Sequence, residues 1–592
     1  ADRALQKLTQ VQMLYPADSG QPQSNTFSQT MVCLSTRIAQ VNPINEVPYE
    51  KCYEAAMPII DAFLAGKKVH NLREVDIDAL TAAMANSLTR AEDYSNTEAV
   101  ASSTREYSGF LEAVGRRDMK VREAEVSDPI GTILVPKNFN CSPTRTQRKT
   151  LAHNLNPKRA YVVLKDVPSD LAPSAVQFGN WYLLPLTPRT AVLPYLEQSD
   201  LSEHSVTQLK KKLADEDAIM DSMYNWTTAN TTVKVQEKIK IQEGFSQLLK
   251  GGQPVFSGQV GMAVMYSERF FLTRVVEWLA ADALEQMGIF MGARGGSTTK
   301  QQLNLAQGYA NRRGEFLKYL MSDITAQDSD INNLTDALTD ALLFRLSGSQ
   351  KFVDSYRQIW RRCQSKIIKA YAVGIRAISR SQLHSGEDHT LLRNTLESMV
   401  IVIFLVTIDF KRTQGGEGLM ADLLSGKFPL NSPQRIAILM LAAICTGDDT
   451  LIWLGDEIMS SEYIMQYCSS WRKLKIEQNH KVGNFCHWNV IQGAQPSLSP
   501  IRYLHKFINK AFPVARLEVT AGMVAAYQKS IAMVCDEIAI DTYHACLADS
   551  VAFGMTQQDA QLYYSVLIGL SQANATTVAR SLGRYEVYNR PF

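Results

Sequence analysis

Two adjacent carboxylates, Asp448 and Asp449, follow a Thr-Gly step inside "AAICTGDDTLIWL", residues 442 to 454, with an apolar run on either side. The pattern predicts a β-hairpin with Gly447 in the turn and both acids at or beside its tip, although Asp and Gly are also the commonest turn residues. A hard divalent cation takes oxygen ligands, so this pair needs a third partner from elsewhere in the chain. One candidate lies upstream in "LKYLMSDITAQDSDINNLTDALTDALLFRL", where an apolar run delivers Asp323, Asp328 follows after four residues, and a Leu/Ala helical pattern begins. By itself that segment reads better as an Asp-rich cap ahead of a helix.

Between the two stands "HSGEDHTLLRNTLESM", residues 384 to 399. Ser385 and Gly386 predict a tight loop, and Thr390, Asn394 and Thr395 fall at helical spacing on what should be one face of the next helix. Polar groups on an otherwise apolar helix need partners; a capped helix would supply them as well as a ligand would. Arg380, His384 and Arg393 nearby could meet phosphates or balance local acids. Two similar fragments complete nothing: Asp409 in "TIDFKRTQGGEG" has no partner carboxylate at the matching distance, and Asn431, after Ser425-Gly426, lacks the following Thr.

Lysines supply the remaining chemistry. Lys234, Lys238, Lys240 and Lys250 lead toward a Gly-Gly step in "KVQEKIKIQEGFSQLLKGGQPVFSG" and could hold a polyanion, or form a solvated basic face. Lys475 follows the paired aspartates in "SSWRKLKIEQNHKVGNFCHWNVIQG". The Gly-rich "GARGGSTTKQQ" at 292 to 302 lacks the spacing of a phosphate-binding P-loop.

The elements that must position these groups are read from the whole chain. At 592 residues the chain exceeds one small core, and 61 basic against 59 acidic residues exclude a global positive field, leaving nucleic-acid binding to local surfaces. Nine scattered cysteines without a CxxC pair argue against a zinc ribbon and a disulfide framework and suit a reducing compartment. The apolar runs at 399 to 408 and 436 to 445 are about half the length of a membrane span, so no intrinsic span is expected. No secretory signal is read at the start, and the absence of an initiator Met suggests a trimmed or cleaved chain. Helical spacing dominates residues 1 to about 125 and the region beyond about 510; short strands and loops are predicted from about 126 to 200.

The order D-x4-D, SG-x3-T-x3-NT, GDD resembles motifs A, B and C of viral RNA-dependent RNA polymerases. The flanking Lys-x-Gln-x-Lys segment and the "FCH" turn resemble those of the alphavirus-like supergroup, in which tobamovirus, alphavirus and endornavirus relatives are equally close, although His487 stands where a Gly is usual. The resemblance covers roughly residues 230 to 530. It implies an α+β right-hand polymerase, with a small antiparallel palm sheet and helix-rich fingers, thumb and N-terminal extension. The corresponding divisions are 1–225 for the extension and part of the fingers, 226–310 for basic fingers, 311–500 for the palm with an insertion, and 501–592 for the thumb.

It further implies Mg2+ or Mn2+ on Asp323 and Asp448, with Asp449 assisting, and Lys475 as proton donor to the leaving pyrophosphate. Lys234 and Lys238 would hold the triphosphate, and Asp328, Ser385, Gly386, Thr390 and Asn394 would surround the ribose. RNA template, nascent RNA, nucleoside triphosphates and other viral replicase subunits are the expected partners, in a replication complex in the host cell cytoplasm. A non-enzymatic helical viral coat or scaffold, and a terminal nucleotidyltransferase using the same site, are the alternatives.

Overall fold

A computed structural model describes residues 47–69, 77–89, 268–292, 297–324, 327, 331, 333–364, 383, 389–412, 425–458, 474–508 and 517–582, with strands at 119–120, 140–141, 176–178, 181–184, 232–240, 255–262, 366–370 and 375–379. Helix and sheet are mixed, and two compact units separate, the second including the chain from Asn479 to Phe592.

At the centre of the first unit is a five-stranded sheet. Its strands are β1 (Ile289–Met291), β2 (Lys318–Ile324), β3 (Met440–Thr446), β4 (Asp449–Leu454) and β5 (Leu474–Asn479), in the order β5-β2-β4-β3-β1. β3 and β4 form the expected hairpin, with Thr446 opposite Asp449, so Gly447 and Asp448 are its two turn residues. β4 pairs antiparallel with β2, Thr450 opposite Ser322. The sheet departs from a purely antiparallel one at its edge, where β1 runs parallel to β3, with Cys445 beside Met291. The connection from β1 to β2 explains this: helix α3 (Thr299–Arg313) carries the chain back before β2 begins, as a parallel edge requires. "STTKQQ" starts that helix with a capping box between Thr298 and Gln301.

The helices α1 (Tyr49–Leu64), α2 (Glu268–Glu285), α4 (Asn333–Ser347), α5 (Gln350–Gln364) and α6 (Thr390–Thr407) share one apolar core with the sheet. α6 is long and apolar enough to cross a membrane, yet 83% of it is buried inside the protein. Val400, Val402, Ile403, Phe404 and Val406 are fully buried there, each worth about 1.5–3 kcal/mol. Asn431, the fragment that completed no motif, closes the end of α6: its Nδ2 donates to the carbonyls of Val406 at 2.9 Å and Ile408 at 3.2 Å.

The apolar run 436 to 445 is two elements. Ser432 caps a short helix α7 (Pro433–Leu439), Pro433 opens it, and the chain turns to strand at Met440. At the far end of β4, Gly455 is required by contact: a Cβ there would lie 2.5 Å from the Ile438 carbonyl oxygen. A second sheet aligns 181–184, 375–379 and 366–370, and the start of strand 232–240 joins it, with Lys234 beside Lys369.

In the second unit, β6 (Val482–Phe485), β7 (Trp488–Ile491) and β8 (Ser497–Leu498) form an antiparallel sheet. Among the described residues five helices follow: α8 (Pro500–Ile508), α9 (Leu517–Ala539), α10 (Thr542–Phe553), α11 (Gln557–Gln572) and α12 (Ala575–Leu582). Asp549 of α10 is buried and accepts from Asn489 Nδ2 at 2.7 Å, Ser499 Oγ at 2.6 Å and the Ile501 amide at 3.0 Å, so it caps α8 across the chain.

The turn joining β6 and β7 is Cys486-His487, with φ +46° and +67°. This is the left-handed pair of a type I′ hairpin, the geometry for which Gly is the usual residue. The His487 ring packs edge-on against Tyr503 at 5.3 Å between centroids. Relieving Cys486 by Cys486→Gly is expected to raise stability by about 1 kcal/mol, and His487→Gly by less, because the ring contact is worth about 0.5–1.5 kcal/mol. Urea unfolding of the two variants gives the comparison.

Candidate active site

The hairpin and β2 bring three carboxylates to one place. Thr450 faces Ser322 across the ladder, so one residue further along, Asp449 comes level with Asp323. Ligand oxygens of Asp323, Asp448 and Asp449 all lie within 4.8 Å of one another, Asp448 being exposed and the other two half-buried. Gly447 makes the reversal possible, with φ +58° at the first turn position.

Such a cluster is costly without a cation. Burial, the nearby Asp448 carboxylate with which it shares a hydrogen bond, and Asp449 push the Asp323 carboxyl up to about 7, against a smaller opposing pull from Lys475. A raised folded pKa means the folded state favours the protonated acid. Its stabilising effect is fully present below pH ~4 and is lost as pH rises toward 7. Without metal, Asp323→Asn should therefore be more stable than the parent at pH 8 by roughly 2 kcal/mol, a figure reduced for solvent screening. The advantage should shrink toward pH 4.5, and Mg2+ should narrow it by stabilising the parent alone; urea unfolding in EDTA and in Mg2+ reads both.

Helix α6 packs against β3 and reaches the turn itself. Thr395 Oγ1 accepts from the Gly447 amide at 3.0 Å, and Ser398 Oγ donates to the Gly447 carbonyl. Gln327, four residues after Asp323, donates from Nε2 to the Asn394 carbonyl at 2.9 Å and to Ser398 Oγ at 3.4 Å. The segment after β2, helix α6 and the hairpin turn are thus tied side chain to backbone.

No family model matches the chain, and no curated protein does. Among solved structures, it is similar to the RNA-dependent RNA polymerase of a human picorbirnavirus, with TM-score 0.34 and 12% identity over 86% of this chain and 82% of that one. An insertion loop deletion mutant of that polymerase gives 0.33 and 12% over 93% and 96%. The in situ structure of the BmCPV RNA-dependent RNA polymerase at elongation state gives 0.33 and 9% over 87% of this chain and 33% of that one. With likeness of that degree, the site's own chemistry carries the functional argument.

Of the residues marked in the sequence, Asp323, Asp448 and Asp449 converge. Lys475, exposed on β5 beside β2, is close enough to act on the Asp323 carboxyl. Thr390 begins α6 and Asn394 is buried one turn later. Lys234 and Lys238 lie on the strand 232–240, their side chains outside the described residues. Asp328, Ser385, Gly386, Arg380, His384 and Lys250 also lie outside them.

Arg393 is fully buried and meets acids, not solvent. It lies 3.0 Å from Asp336, 3.6 Å from Glu397 and 3.9 Å from Glu277, donates to the Tyr356 hydroxyl and stacks 4.0 Å over Trp360. Gln327 and Ser398 stand outside the sequence motifs. Ser398 extends the four-residue series of Thr390 and Asn394, which was a signal available in the sequence; Gln327 carried none.

Proposed function

We propose that this chain is a viral RNA-dependent RNA polymerase working by divalent-metal nucleotidyl transfer. The observation that carries this is the convergence of Asp323, from a strand end, with Asp448 and Asp449, from a hairpin tip, all within 4.8 Å. A scaffold protein gains nothing from gathering three carboxylates where one is pushed toward protonation. The five-stranded sheet, with α4, α5 and α6 inside 311–500, would belong to the palm and its insertion, α2 to the fingers, and the helices from Pro500 onward to the thumb. The alphavirus-like affinity rests on the sequence motifs.

The donor set is all oxygen, suits Mg2+ or Mn2+, and carries the negative charge such an ion would neutralise. Bound divalent ions would lower the pKa of the attacking hydroxyl and balance charge on the attacking and leaving oxygens. Asp323 and Asp448 would hold the ions, with Asp449 as the third carboxylate. Lys475 would give a proton to the departing pyrophosphate. Thr390 and Asn394, with Asp328, Ser385 and Gly386, would face the ribose, where a 2′ hydroxyl both donates and accepts. Lys234 and Lys238 would hold the triphosphate. In a cell the work would be done in the cytoplasm beside other replicase subunits.

The test supplies a heteropolymeric RNA, four ribonucleoside triphosphates and Mg2+ to the chain, then sequences the product. Complementary product supports the polymerase. Untemplated tails would point to terminal transfer by the same carboxylates, and no incorporation would return the chain to the scaffold reading.

A further inference from the structure

The two hydroxyls on α6 do more than satisfy a buried turn. Thr395 Oγ1 spends its proton on the Leu391 carbonyl at 2.6 Å, so toward the Gly447 amide it can only accept. Ser398 Oγ spends its proton on the Gly447 carbonyl, so toward Gln327 it can only accept. Both groups of one residue, N–H and C=O, are therefore gripped from the same helix by side chains of fixed polarity. The carbonyl belongs to the peptide linking Gly447 to Asp448, so the grip sets where Asp448 leaves the turn. Gln327 reaches the same helix from the chain just beyond Asp323. Thr395, Ser398 and Gln327 are 2%, 1% and 5% exposed, which keeps water from competing.

Resting on the metal-dependent reading above, we propose that Thr395, Ser398 and Gln327 are positioning residues that hold Asp448 in register with Asp323 for cation binding. They touch neither ion nor substrate. Their effect passes through the Gly447 peptide, so a shift of α6 reaches the metal site directly. Because Thr390 and Asn394 lie on the same helix, contacts at its start and cation affinity at the turn are coupled through one rigid element.

Direct Mn2+ binding, followed by electron paramagnetic resonance of free Mn2+, tests this without any polymerase assay. Thr395→Val keeps the shape and loses the acceptor; Ser398→Ala loses the donor; Thr395→Ser restores the hydroxyl. Valine and alanine variants with parent-like near-ultraviolet circular dichroism should bind Mn2+ about tenfold more weakly, and Thr395→Ser should bind it like the parent. Gln327→Glu, which replaces a donor by an acceptor, should weaken binding in the same direction.

Parent-like Mn2+ affinity in folded Thr395→Val and Ser398→Ala overturns the proposal, and so does a parent chain whose Mn2+ binding is indifferent to Asp323→Asn. If a variant fails to fold, the Thr395→Ser and Gln327→Glu pair still decides: equal affinity in both overturns the proposal. A parent that binds Mn2+ through Asp323 but makes no RNA would refute polymerase activity while leaving the grip intact.

Discussion

Asp448→Asn is expected to reduce templated RNA synthesis by about a thousandfold or more. Charge stabilisation by a bound ion is worth several kcal/mol, and each 1.36 kcal/mol is about tenfold in rate. The asparagine is isosteric, and position 448 is exposed in the turn, so the hairpin should survive the exchange. Only a formal charge and one anionic ligand are removed. Asp449→Asn should cost less, because Asp449 begins β4 and stands level with Asp323 as the third member of the cluster. Incorporation of labelled nucleotide on an RNA template in Mg2+, with circular dichroism as the control for fold, measures both. Activity of Asp448→Asn within tenfold of the parent would remove this residue from the site.

The largest effect on stability should come from Arg393→Met. Glu277 and Glu397 are fully buried, and the guanidinium is the positive charge between them. Removing one partner of a buried ion pair costs about 3–5 kcal/mol, because the remaining acids stay buried without that counter-charge. His389, 3.5 Å from Glu277, could compensate only by taking a proton inside the core. The triple exchange Arg393→Met, Glu277→Gln, Glu397→Gln should recover much of the loss. Urea unfolding of single and triple variants decides, and a single variant within 1 kcal/mol of the parent would show that the cluster is not an energetic unit.

The hairpin was legible because its two apolar runs are short and a Gly breaks them at the tip, so turn chemistry and periodicity agree. The position of Asp323 was legible for a similar reason, since an apolar run ends on it. The division of 436 to 445 into α7 and β3 was not, because an unbroken apolar run gives no period to read; the cap at Ser432 and the pairing of β3 with two neighbours decide it. The three-residue β1 was invisible, as its parallel register depends on β3, more than 140 residues away. Arg393 was open between phosphate and acid because, apart from Glu397 on its own helix, its partners come from three other helices. The grip on Gly447 was only half visible: Thr395 was marked for helical spacing, while its acceptor role depends on a turn 52 residues on.

Helix α6 has a consequence for how the chain is made. It ends at Thr407, whereas the strand that packs on it begins at Met440 and the hairpin closes only at Leu454. A ribosome synthesising about 5–20 residues per second would leave the face that β3 covers open for some seconds, with α1, α2, α4 and α5, which share the core of α6, already made. Throughout that interval one face of an 18-residue apolar helix lacks its partner, exposed apolar surface of the kind that chaperones cover. Recombinant yield should therefore respond to synthesis rate and chaperone supply, and slow, cool expression suits a chain built in this order.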